Sequence, residues 1–226
     1  KIDPTTGFVA IFNYKGMTDK DFVTSFDSIK YDDERGLFAF EFDYENFVTH
    51  KVEMARNKWT VYTYGERIKR KFKNGLWDTA EKVDLTYQMR SILEKYEIEY
   101  NKGQDILEQI EELDEKAQNG ICKEIKYLVK DIVQMRNSLP DNAAEDYDAI
   151  ISPVINNNGE FFDSTRGDED KPLDADANGA YCIALKGLYE VMQIKKNWNE
   201  ETEFPRKELK IRHQDWFDFI QNKRYL

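Results

Sequence analysis

Asp174-Ala-Asp-Ala-Asn-Gly-Ala-Tyr-Cys-Ile-Ala-Leu-Lys-Gly187 is the stretch on which the reading of the chain turns. Two carboxylates stand two residues apart, an Asn-Gly pair follows, and an apolar run with helical spacing comes next. If the carboxylates leave a strand, alternation puts Asp174 and Asp176 on one side. Asp176 then sits just before a helix start, where free backbone N–H groups favour negative charge. Two hard oxygen ligands at the end of an element suit Mg²⁺, which usually recruits carboxylates from several elements. The same residues also serve as plain helix caps, and on chemistry alone capping is the commoner use. Asp174, Asp176, Asn178 and Gly179 also fit the early positions of a calcium loop, but Leu185 stands where that loop needs a bidentate Glu. The intervening Ala-Tyr-Cys-Ile-Ala supplies too little oxygen, so a calcium loop is excluded.

Working outward, the 226 residues suffice for one large or two small domains. Aromatic residues at 14% argue for a real core despite 34% charged residues. No apolar run approaches the roughly 20 residues of a membrane span. No signal peptide is visible, and a chain opening at Lys1 reads as a fragment. Cys122 and Cys182 sit in apolar helical surroundings and read as buried free thiols. With His50 and His213 scattered, no zinc-ligand spacing exists. A net charge of −11 suits a stand-alone nucleic-acid binder poorly, so any main grip on phosphates must lie elsewhere.

The spacing predicts a strand through Phe8, Val9, Ile11 and Phe12 into Asn13-Tyr14, then a Thr18-capped helix over 19–26. Residues 28–44 read as a hairpin turning at Asp32–Gly36, Trp59–Tyr64 as a strand, and Glu66–Lys73 as a strand ending at the turn Asn74-Gly75. From about residue 84 the period becomes helical. Helices are expected over 85–96, 104–117 and 121–138, broken at Asn101-Lys-Gly103 and at Asn119-Gly120. The third has the broadest stripe, with Ile121, Ile125, Leu128, Val129, Ile132, Val133 and Met135, and ends before Pro140. Glu160–Asp163 reads as a short strand and Arg166–Pro172 as a charged connector. A helix over about 178–197 places Ala180, Ile183, Ala184, Gly187, Leu188, Val191 and Ile194 on one face, suited to packing on a sheet. Glu200–Pro205 is a linker, and 213–224 a last helix with Trp216, Phe217, Phe219 and Ile220. The class is α+β.

Two further features carry charge in a suggestive pattern. Arg67, Lys69, Arg70, Lys71 and Lys73, with Phe72 interleaved, form a concentrated basic strand. It reads equally as a contact for a nucleic-acid backbone and as a solvated strand face. Arg136 falls in the expected last turn of a helix, where a cation complements the helix dipole.

The Asp174–Gly187 stretch resembles the third RuvC motif of the type V-A RNA-guided CRISPR endonucleases, the Cas twelve-a family. Other segments resemble that family in the same order. Lys1-Ile-Asp-Pro-Thr-Thr-Gly-Phe8 resembles its entry into the Nuc domain, and Gln134-Met-Arg-Asn-Ser138 the segment carrying a functional arginine. Ile151-Ser-Pro-Val154 and Phe162-Asp-Ser164 resemble the turns that follow, and Asp215–Leu226 resembles the C-terminus. The resemblance runs from end to end.

It implies a mixed antiparallel-sheet and helical Nuc domain over 1–172, followed over 173–226 by the C-terminal strand and helix portion of an RNase H-like RuvC domain. In such a RuvC centre three carboxylates hold two Mg²⁺ ions, which activate water and stabilise the leaving oxygen. Asp176 matches the third carboxylate and is the implied metal ligand. The other two belong to upstream RuvC segments not found here. Arg136 and Asp148 match functional Nuc residues, with Asp146 as the alternative register for Asp148, and Ser138 matches a substrate-positioning neighbour. An always-charged fork at Arg136 suits a phosphate. The implied partners are target DNA and guide CRISPR RNA, which selects the DNA by base pairing. The implied setting is the bacterial cytoplasm, with no membrane, and the isolated fragment is expected to be inactive or nearly so. The alternatives are a non-catalytic interaction module and an independent metal-dependent nuclease using Arg136, Asp148 and Asp176.

Overall fold

Phenylalanine at every second position of Leu37-Phe-Ala-Phe-Glu-Phe-Asp43 sends three rings to one side of an extended chain. In the computed structural model this segment is the central strand of a three-stranded antiparallel sheet. The structure describes residues 2–10, 12, 14, 16–47, 58–73, 75–101, 103–138, 148–166, 171–197, 211 and 213–222. β1 (Ser28–Asp32), β2 (Leu37–Asp43) and β3 (Lys58–Tyr62) pair in order, with Ile29 opposite Phe40 and Phe42 opposite Trp59. Phe38, Phe40 and Phe42 are fully buried. Phe22 of α1 (Asp19–Thr24) joins the rings beside this sheet, and the helix N-terminus is capped by the Thr18 hydroxyl accepting from the Asp21 N–H. Phe12, Phe22, Phe26, Phe42 and Phe47 form a ring cluster with centroids 4.9–6.4 Å apart. Each such burial stabilises the fold by about 1.5–3 kcal/mol.

β4 (Glu66–Lys73) and β5 (Leu76–Asp84) make a two-stranded antiparallel sheet. Asp84 then caps α2 (Leu85–Lys95), accepting from the Tyr87 N–H at 2.7 Å. α3 (Ile106–Glu112) is capped by Asp105, which also accepts from the Ile29 N–H and so ties this helix to β1. α4 (Glu115–Ile132) is capped by Asp114.

The helical region departs from expectation in three places. The second helix stops at Glu112 rather than near 117, because Asp114 starts a new one. Asn119-Gly120 lies inside α4 and breaks nothing. Glycine stands there for space, since a Cβ at Gly120 would lie 2.5 Å from the Tyr96 hydroxyl oxygen. Finally, α4 ends at Ile132, so Arg136 is not in a last helical turn but begins a strand.

That strand is β6 (Arg136–Ser138). It pairs antiparallel with β7 (Asp148–Ile155), which pairs with β8 (Phe161–Asp163). The expected turn at Ile151–Val154 is instead part of β7, and the register of β7 against β8 shifts between Ile151 and Ile155. Pro153 has no N–H to give a ladder, which places it at such an irregularity. Near the N-terminus the described residues hold an isolated Ile2–Val9 bridge in place of the expected strand.

After the third sheet come α5 (Ala175–Asn197) and α6 (His213–Gln221). Both join the same core. Trp59 and Phe217 meet edge to face at 5.4 Å, and Gly7, at φ +74°, leaves room for the Phe217 and Trp216 rings. α5 buries Ala175, Asn178, Cys182 and Leu185. The face expected to pack on a sheet is turned outward, with Ile183 73% and Val191 59% exposed. Cys122 and Cys182 are free and buried, as expected. Among the described residues no helix is long and apolar enough to cross a membrane.

Candidate functional site

β6 is three residues long, and alternation divides them. Arg136 belongs to one side, Asn137 to the other. Ser138 stands opposite Asp148 and Arg136 opposite Ile150, so Asp148 is the diagonal cross-strand neighbour of Arg136. A long side chain spans that diagonal. The Arg136 Nε donates to Asp148 Oδ1 at 2.7 Å and Nη2 to Oδ2 at 2.6 Å, a two-point charge-assisted pair. The rest of the fork meets Asp176: Nη2 donates to Oδ2 at 3.3 Å, and Nη1 lies 3.2 Å from Oδ1. Hydrogen bonding to Asp148 first, with the charges of both carboxylates, raises the Arg136 pKa further. The three residues singled out from the sequence therefore converge on one guanidinium. Asp148 makes the pair, and Asp146 lies outside the described residues.

Asp176 reaches this place by a route different from the expected one. No strand leads directly into it among the described residues. Asp174 is the N-cap of α5, its Oδ1 accepting from the Asp176 N–H at 3.0 Å and the Ala177 N–H at 2.7 Å. The helix thus begins at Ala175, three residues earlier than expected, and Asp176 lies in its first turn. The two carboxylates have separate tasks: Asp174 satisfies backbone N–H groups and Asp176 faces Arg136. The buried Asn178 fixes the helix start, its Nδ2 donating to the Ile2 carbonyl at 3.0 Å.

The basic strand divides in the same way. Arg67 is 1% exposed, which corrects its reading as a surface contact for a nucleic-acid backbone. Its Nη1 donates to the Tyr64 and Glu66 carbonyls, and its Nη2 to Ile132 O at 3.1 Å and Ile151 O at 3.3 Å. Ile132 ends α4, so a cation there also complements the helix dipole. Lys69 is half-buried, its Nζ 2.7 Å from Asp131 Oδ2 and donating to Gln88 Oε1. Arg70, Lys71 and Lys73 stand on β4 opposite Thr79, Asp78 and Leu76, and their side chains lie outside the described residues. The Ser138 side chain does too.

Sequence reasoning missed Asn137. It is buried, its Nδ2 donates to the Glu66 carbonyl at 2.8 Å, and its Oδ1 accepts from the Ile68 N–H at 3.2 Å. Asn137 and Arg67 together bind β4 to the two strands that carry Arg136 and Asp148. The alternation in Arg-Asn-Ser is only three residues long and follows directly on an apolar stripe that continues through Val133 and Met135.

The described residues hold no group of three or more His, Cys, Asp or Glu placed to bind a metal ion. Asp148 and Asp176 face a guanidinium that brings its own positive charge. Asp176 can offer a hard oxygen ligand, but Mg²⁺ demands a nearly octahedral shell. These residues do not by themselves fit a two-metal centre. What the arrangement offers is a planar fork at a partly exposed surface, one edge on Asp148 and the other on Asp176, so a phosphate gripped bidentately would take the place of a carboxylate.

Fold and site together define an α+β domain built around a carboxylate-held arginine. The chain belongs to the Nuc family: that family's model, described as a nuclease domain, matches residues 2–166. This is the Nuc domain of type V CRISPR effectors. The match takes in Arg136 and Asp148 and stops short of Asp174 and Asp176.

Proposed function

We propose that the chain is the C-terminal part of an RNA-guided CRISPR DNA endonuclease. Residues 1–172 form its Nuc domain, which positions the target strand. Residues 173–226 belong to its RuvC domain, where Asp176 supplies one of the carboxylates for Mg²⁺-dependent phosphodiester hydrolysis. The observation that carries this reading is the Arg136 guanidinium shared between Asp148, inside the Nuc match, and Asp176, beyond it. A residue of the DNA-positioning domain and a candidate metal ligand stand in direct contact. Bound Mg²⁺ would polarise the scissile phosphate and generate the attacking hydroxide. Within this chain, Asp148 fixes the orientation of the Arg136 fork, and an oxyanion would take the edge that now faces Asp176.

The outward apolar face of α5 also supports this reading. Ile183, Leu188 and Val191 are exposed, as befits a helix that packs on upstream RuvC segments supplied by the rest of the protein. Target DNA and guide CRISPR RNA are the partners, and the bacterial cytoplasm is the setting. The test is cleavage of labelled DNA in Mg²⁺ by this chain alone and with the upstream part and guide RNA supplied. Cutting is expected when the upstream part is present, and Asp176→Asn abolishes it. Metal-dependent cutting by this chain alone, lost in Asp176→Asn, would make it an independent nuclease. No cutting under either condition would favour a structural module.

A further inference from the structure

Positions 116, 119, 123, 127, 130 and 134 read Lys, Asn, Lys, Tyr, Lys and Gln. Spaced three and four apart, they form one ridge along α4 and the residues just after it. Lys116, Asn119, Lys123, Tyr127 and Gln134 are exposed, and Lys130 is half-buried. In a chain carrying 44 acidic and 33 basic residues, this ridge holds three lysines and no carboxylate. Three of the acidic side chains that flank it are already paired, while Glu115, exposed beside Lys116, leaves negative charge at its N-terminal end. Glu124 is paired with Lys95 and accepts from the Tyr96 hydroxyl, Asp131 is paired with Lys69, and Asp19 with Lys126. Tyr127 is 53% exposed, with the Lys130 ammonium held between rings, 4.7 Å from the Tyr127 centroid and 5.1 Å from that of Tyr14. The ridge leads to the candidate site, because the Gln134 side chain donates to the Arg136 carbonyl at 3.3 Å.

We infer that this ridge is a track for a single-stranded nucleic acid, which it leads toward Arg136. An exposed aromatic ring offers a stacking platform that any base can use, and flanking lysines meet the backbone phosphates. Residues seven apart on a helix lie about 10.5 Å apart along the axis, so Lys116, Lys123 and Lys130 span about 21 Å, room for a few nucleotides. The net charge of −11 makes the track weak unless the strand is also held elsewhere, which suits a guide surface rather than a primary grip. The inference rests on the reading that this domain positions a DNA strand. It adds where the strand runs and that the strand is unpaired there.

The test is binding of a fluorescein-labelled oligothymidylate by the purified chain at low salt, followed by polarisation and repeated across a salt series. Tyr127→Ala is expected to weaken binding by about fivefold or more, the lower end of a lost base stack. Lys116→Ala/Lys123→Ala, both exposed, should weaken it and flatten the salt dependence by about 1.4 in log–log slope, two single-strand phosphate contacts. Lys30→Ala/Lys58→Ala removes the same charge from the β1–β3 sheet and should bind as the parent does. Photocrosslinking with 5-iodouracil placed in the oligonucleotide should mark Tyr127. Absence of binding by the parent chain would overturn the track, as would ridge variants that behave like the control pair. Equal binding of a duplex, unaffected by Tyr127→Ala, would overturn it as well. Cleavage plays no part in this measurement, so its failure leaves the nuclease reading to be judged by the reconstitution above.

Discussion

Arg136 and Asp148 sit on adjacent antiparallel strands, one diagonal step apart, and share two hydrogen bonds of 2.7 and 2.6 Å. The pair holds the fork of Arg136 in one plane and leaves its other edge for Asp176. Lysine cannot reproduce this, because a point ammonium has no fixed fork. In the reconstituted enzyme, Arg136→Lys and Arg136→Ala are both expected to lower the cleavage rate by about 10²-fold, as for a lost oxyanion donor. Single-turnover rates at saturating DNA would check this, and a Lys variant at the parent rate would sink the fork argument.

Arg67 is a different kind of arginine. Its guanidinium satisfies carbonyls from β4, the end of α4 and β7 at once. Arg67→Met keeps bulk and orphans those carbonyls, and should destabilise the chain by about 3 kcal/mol. Urea unfolding measures it, and a loss below about 0.5 kcal/mol would place the variant among ordinary surface changes.

Asp174 caps α5, so Asp174→Ala should cost about 1 kcal/mol while Asp174→Asn stays close to the parent. Hydrogen exchange would localise the loss to the Asp176 and Ala177 amides, which donate to Asp174. Exchange there unchanged in the Ala variant would remove Asp174 from the capping role.

Gly120 and Tyr96 form a steric pair. Gly120→Ala gains about 1 kcal/mol of helix propensity but pushes the Tyr96 hydroxyl from its bond to Glu124. The expected net effect is near zero or unfavourable. Gly120→Ala with Tyr96→Leu should recover the propensity gain relative to Tyr96→Leu alone. A double-mutant cycle by thermal melting checks the sign, and simple additivity would refute the clash.

Burial pushes the Cys122 and Cys182 thiols up to about 11. Unfolding returns them to an ordinary value near 8.5, where they ionise more readily. Between these values the unfolded chain binds fewer protons, so stability is whole below about pH 8.5 and falls as pH rises from there toward 11. Cys122→Ala/Cys182→Ala should flatten that fall, read as the urea midpoint between about pH 8 and 10. An unchanged slope would show that the thiols do not contribute.

Residues with local causes were legible in the sequence. Thr18 caps α1, Ser28–Asp43 makes a hairpin, and Glu66–Lys73 makes a strand, because caps, alternation and turn residues act over a few positions. Arg136, Asp148 and Asp176 were reached through resemblance rather than periodicity, since they are up to 40 residues apart. No local pattern announces such a meeting.

The rest was decided by tertiary contact. The apolar stripe of α4 ran past Ile132 through Val133 and Met135, and only pairing with β7 turned Arg136–Ser138 into a strand. Gly120 resembles a breaker until the Tyr96 ring is seen against it. Arg67 looks like its basic neighbours until four carbonyls surround it, three from β4, α4 and β7 and one from the connection at Tyr64. The α+β class, the caps and most strands follow from local pattern, because hydrogen-bond closure and side-chain period are short-range. Tertiary structure decided which charges are buried, which are exposed and which share a guanidinium, because burial and charge pairing depend on neighbours brought in from distant parts of the chain.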